Sequence, residues 1–136
     1  MTTPLPEAVT TRSAGFDVML ANTVLECRDA GALADFYRRL LGWRLLVDEG
    51  DWAILRPPGG GSGISFSSDP SYEPPVWPAT ADHQQMQLHL DFWVDDLGAG
   101  VAHALATGAR LADFQPQEHV RVLLDPAGHP FCFFDD

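Results

Sequence analysis

A pattern that returns after 67 residues constrains this chain more than any other feature. Residues 18–27, "VMLANTVLEC", read as a strand. "DAGALADFYRRLLGW" follows as a helix, with Leu33, Phe36, Leu40 and Leu41 at helical spacing, Asp29 placed to cap its start and Gly42 to stop it. "WRLLVDEG", "DWAILRPP" and "ISFSS" then read as three strands, with "PPGGGSG" as a loop before the last. From Gln85 the order restarts. "LHLDFWV" is a strand, and "DDLGAGVAHALATGA" is a helix capped at Asp95 or Asp96 and ended at Gly108. "RLADFQPQ", "HVRVLLD" and "PFCFFDD" are three more strands, the last two joined by a "DPAGHP" turn. Asp29 and Asp96 stand 67 positions apart, as do Ser65 and Cys132, while Gly42 and Gly108 stand 66 apart. Distant markers in each half keep one register, so the chain reads as a tandem βαβββ repeat and an α+β fold.

The bulk properties narrow the function classes. At 136 residues the chain suffices for one domain with a core. A formal net charge of −11 disfavours nucleic acid and anionic membrane surfaces as partners, and the arginines of "FYRRLLGWR" read as a solvated helix face. No apolar run approaches the roughly 20 residues that span a bilayer. Residues 1–15 read as a disordered lead-in without the basic-then-apolar pattern of a signal peptide, which makes the cytoplasm the expected location. Cys27 and Cys132 lack metal or disulfide spacing and read as buried free thiols. "PPGGGSG" lacks the Lys-Ser/Thr of a phosphate loop and reads as a hairpin loop.

Between the repeats lies "SDPSYEPPVWPATADHQQ", too rich in proline for a helix or a central strand. Tyr72, Val76 and Trp77 are costly residues for a solvated linker, so they are expected to pack, with Trp77 and Tyr72 over a pocket mouth. Strand alternation in "QMQLHLDFWVDD" puts Leu88, Leu90, Phe92 and Val94 on one face and His89, Asp91, Trp93 and Asp95 on the other. Aromatic walls with a few polar groups describe a small-molecule pocket, with filling of an otherwise empty sheet as the alternative. His89 is open to three readings, a satisfied histidine bonded to a neighbour such as Asp91, a ligand contact or acid–base group, and a metal ligand. Cys132, on a strand between Phe131 and Phe133, reads as inert rather than nucleophilic. His129 reads as part of its turn, and His83, His103 and His119 as surface residues.

Taken together, "FYRRLLGW", "QQMQLHLDFWVDDL" and "LLDPAGHPFCFF" over residues 16–136 resemble the vicinal oxygen chelate superfamily, which includes glyoxalases, bleomycin-resistance proteins and extradiol dioxygenases. The resemblance implies one glyoxalase-like domain over 16–136, with module one about 16–68, a connector 69–84 and module two about 85–136. It implies a curved mixed sheet of eight strands around a cavity, and a homodimer. It also implies four inward positions that hold one divalent ion in metal-dependent members. Counted onto this chain, these are Asn22, Ser65, His89 and Cys132. That set has no carboxylate and a single imidazole, a poor match to iron, nickel, manganese or a complete zinc site.

The expected protein is therefore a metal-independent and cofactor-free member. It would bind a small apolar or aromatic molecule through Asn22, Glu26, Ser65, Trp77, His89, Asp91, Trp93 and Cys132, for sequestration or for metal-free catalysis with His89 as the candidate catalytic group. The alternatives are a metal-dependent lyase or dioxygenase with a non-standard site around His89, completed by Glu26 or Asp91, and a non-catalytic structural or interaction module.

Overall fold

A computed structural model describes residues 4–5, 11–13 and 15–136. The chain divides into two compact units, residues 1–70 and 71–136. The lead-in anticipated over residues 1–15 falls largely outside the described residues. Within the part that is described, β1 (Thr11–Ser13) pairs antiparallel with β2 (Phe16–Val18).

In unit one, β3 (Asn22–Cys27) is shorter than the strand anticipated over 18–27. Its partner β6 offers six residues, from Gly63 opposite Asn22 to Ser68 opposite Cys27, and a strand is only as long as its ladder. Helix α1 (Ala30–Leu41) begins where the Asp29 carboxylate accepts from Ala32 N at 3.0 Å. It ends at Gly42, whose left-handed φ of 71° lets its N–H reach Arg38 O. Leu33, Phe36, Tyr37 and Leu40 form its buried face. Tyr37 stacks on Phe66 at 5.7 Å and meets Phe36 edge-on at 4.9 Å. Each such side chain contributes about 1.5–3 kcal/mol on burial. Arg38 and Arg39 lie on the opposite, solvated face and pair with Asp35. Strands β4 (Arg44–Asp48), β5 (Trp52–Arg56) and β6 (Gly63–Ser68) complete a sheet of order β3-β6-β5-β4. Only its β3–β6 pair is parallel.

Unit two repeats this plan with β7 (Leu90–Trp93), α2 (Leu97–Thr107), β8 (Arg110–Leu111), β9 (Val120–Leu124) and β10 (Pro130–Phe134). Its order is β7-β10-β9-β8, with β7 and β10 parallel. Asp96 caps α2 as Asp29 caps α1. The repeat holds at the level of register, since Val24 pairs with Ser65 and Asp91 pairs with Cys132, each residue 67 positions from its counterpart. The eight strands thus form two mixed sheets of four, not one hydrogen-bonded sheet of eight. Leu88, anticipated as the start of the strand, precedes β7 and is exposed.

The Pro-rich connector forms neither helix nor strand, and within unit two it is tied down at three points. Tyr72 Oη donates to Ala127 O at 2.9 Å and lies 3.2 Å from His129 Nε2. Pro74 sits over Gly128, where a Cβ would come within 2.9 Å of it. Trp77 Nε1 donates to Phe114 O at 3.1 Å. The turn below Tyr72 is itself organised by the buried Asp125, whose carboxylate accepts from Ala127 N, His129 N and the His129 ring at 2.8–3.0 Å.

Candidate functional site

Each sheet has one face on its helix and one face free of it. In unit two, α2 meets Phe133 at Gly100, so Leu90, Phe92, Phe131 and Phe133 face the helix. Alternation then puts Asp91, Trp93, Val122 and Cys132 on the other face. His89, two residues before Asp91 and just ahead of β7, follows the same alternation. Its Nε2 lies 3.2 Å from Asp91 Oδ1, the neighbour anticipated from sequence. Cys132 is Asp91's cross-strand partner. Donor atoms of His89, Asp91 and Cys132 all lie within 4.8 Å of one another.

Cys132 is 8% exposed. Burial first, then the charge of Asp91 and a hydrogen bond to it, push its thiol up to about 11. At neutral pH it is therefore a protonated donor to Asp91 and a poor nucleophile. The same residue belongs to an apolar cluster with Ala112 and Val122, against which Trp77, Val120 and Leu124 pack. Trp77 also meets Phe114 at 6.1 Å. Cys132 thus joins a polar trio to an aromatic wall. Trp93, assigned to the same face, is 63% exposed.

As a metal site the trio offers one imidazole nitrogen, one carboxylate oxygen and one sulfur. That donor set suits zinc with a position left open, provided that the thiol gives up its proton. Asp91 supplies the carboxylate missing from the four positions counted in the sequence.

In unit one, α1 packs on the face that carries Phe66, so Asn22, Val24, Glu26, Trp52, Ile54, Arg56 and Ser65 lie on the other. Asn22 Oδ1 accepts from Arg56 Nη2 at 3.3 Å. Ser65 is fully buried and its hydroxyl has no partner among the described residues. Glu26 is exposed. Arg56 escaped the sequence reading. The available signal was an arginine closing the apolar run "WAILR", but its face becomes legible only once β5 is registered against β6.

A surface groove of about 450 Å³ in unit two is lined by Pro74, Pro75, Arg110, Leu124 and Asp125 among others, and by none of the site residues anticipated from sequence.

Several solved structures share the fold. A glyoxalase/bleomycin resistance protein/dioxygenase family enzyme from Burkholderia phytofirmans PsJN is 23% identical, with a TM-score of 0.67 over 87% of this chain and 98% of that one. TnmS3, an antibiotic binding protein from Streptomyces sp. CB03234, is 18% identical, with a TM-score of 0.60 over 87% and 95%. TioX from Micromonospora sp. ML1 is 21% identical, with a TM-score of 0.56 over 85% and 96%. No curated protein matches the sequence. The glyoxalase-like domain model matches residues 22–134, nearly the whole tandem repeat, and the chain accordingly belongs to the glyoxalase-like domain family of the vicinal oxygen chelate superfamily.

Proposed function

We propose that this protein binds a small apolar or aromatic organic molecule without a metal ion, and acts by sequestering it or by metal-free catalysis with His89 as the acid–base group. The observation that carries the reading is the meeting at Cys132 of an aromatic and aliphatic wall, Trp77 with Val122 and Leu124, and a polar trio, His89, Asp91 and Cys132. Apolar walls with a few convergent polar groups are the usual make-up of ligand sites. The antibiotic binding of TnmS3, which shares the fold, supports the sequestration arm. Asn22, Glu26, Ser65 and Trp93 are the remaining proposed ligand contacts. Residues 16–136 are taken as one functional domain, in a homodimer in the reducing cytoplasm, where Cys27 and Cys132 persist without a disulfide. Light scattering of the purified protein tests the dimer.

A thermal-shift screen of aromatic compounds tests the binding reading. Compounds that raise the melting temperature are expected, with Trp77→Ala weakening them about tenfold or more, as loss of a buried aromatic contact implies. If no compound shifts wild-type stability, the binding reading fails and a structural module takes its place.

The proximity of His89, Asp91 and Cys132 favours a second reading, a metal-dependent enzyme. These three residues would hold the ion, and a divalent ion there would supply Lewis-acid polarisation of a ligand oxygen. Elemental analysis of untagged protein separates the two. About one metal per chain, lost in Cys132→Ser, establishes the second reading, and sub-stoichiometric metal removes it.

A further inference from the structure

Among the described residues, Arg56 is a buried cation without an anion. It is 4% exposed, and among the described residues its guanidinium reaches only the Pro4 carbonyl and Asn22 Oδ1, both neutral acceptors. Its Nε–H has no partner among them. Burial alone pushes its pKa down, yet arginine stays protonated under any ordinary condition. Buried charges are normally paired, and a neutral acceptor does not cancel the charge.

The surroundings are built to hold the guanidinium in place. Gly63 lies beneath it, and a Cβ there would come within 2.8 Å of both Arg56 Nε and Asn22 Oδ1. Ser65 follows two residues along β6, about 7 Å further on the same face. Its hydroxyl and the indole N–H of Trp52, again on that face, are the other two buried side-chain polar atoms without a partner among the described residues. All three orphaned groups can donate, and all three lie on the helix-free face of one sheet.

We infer that this face of unit one binds the carboxylate of a small organic acid, anchored on Arg56, with Ser65 and Trp52 supplying further donors. The inference rests on the binding reading above and narrows its ligand to an anion. The planar edge formed by Nε and Nη2 matches the two oxygens of a carboxylate, and in binding the carboxylate replaces the Pro4 carbonyl on that edge. The net charge of −11 repels anions at long range, so selection for a carboxylate has to come from local contacts of this kind.

Calorimetry with matched pairs tests it, using benzoate against benzamide, phenylacetate against phenylacetamide and octanoate against octanamide. At least one acid is expected to bind tenfold or more tightly than its amide. Arg56→Met should abolish that preference and Arg56→Lys should keep part of it. Should Arg56→Met fail to fold, the wild-type Arg56 Nε–H resonance provides the readout, and it is expected to move on addition of the acid but not of the amide. Amides that bind as well as acids overturn this inference and leave the binding reading standing. Silence from both series overturns the inference and counts against the binding reading as well. A preference for acids that survives in a folded Arg56→Met variant also overturns it.

Discussion

At the scale of single residues, the chemistry of the site is decided by what each polar group faces. Cys132 faces Asp91 from a buried strand position, and this keeps its proton on. Its folded pKa of about 11 lies above the ordinary 9.0, so its contribution to stability is complete below pH 9 and is lost as pH rises towards 11. The chain has no lysine, which leaves this window comparatively uncluttered. Melting temperature should therefore fall between pH 9 and 11 more steeply in wild type than in Cys132→Ala, measured by calorimetry across that range. Asp125 is a buried carboxylate held by two backbone N–H groups and an imidazole. Asp125→Ala should lower unfolding free energy by about 3 kcal/mol in urea titrations, the scale for losing hydrogen bonds to a buried charge. Tyr72→Phe, which removes one hydroxyl from the edge of the same cluster, should cost only about 1 kcal/mol. The residues named from sequence divide on the same ground. Asp91 beside His89 was readable because the two stand only two positions apart and share one alternation, although the strand itself starts at Leu90. The bond from Arg56 to Asn22 was not, because it joins strands 34 positions apart.

At the scale of elements, local signals were faithful. Both helices begin one residue after an aspartate whose side chain caps them, and both end at a glycine. Asp29→Ala and Asp96→Ala should each cost about 1 kcal/mol. With the caps on separate helices, the double variant should show the sum in chemical denaturation. The ends of strands were less legible. β3 stops where β6 stops, and β8 keeps only Arg110 and Leu111 of a longer apolar-polar run, because pairing rather than propensity sets strand length. The connector shows the same limit. Its prolines excluded regular structure and its aromatics implied packing. The surfaces that Tyr72 and Trp77 rest on, the 125–129 turn and the Ala112–Val122–Cys132 cluster, are both brought to it by folding.

At the scale of the whole molecule, the acidic excess is a general property of the chain rather than of any one contact. Like charges repel in the compact state, so melting temperature should rise as sodium chloride increases to about 0.5 M and the Debye length shortens, measured by calorimetry at neutral pH. The sequence by itself determined the repeat, its 67-residue spacing, the two caps, the sheet-forming segments and the family. Those features are written in periodicities of two and 3.6 residues and in residues with special backbone demands, which act over a few positions and need no partner to be recognised. Only the tertiary structure decided which polar groups meet. Asp91 faces Cys132, Arg56 reaches Asn22, and Ser65 lies on the Arg56 face without a partner among the described residues, because each depends on the register between strands distant in the chain. A one-residue slip in that register would turn every one of these side chains to the other face of its sheet.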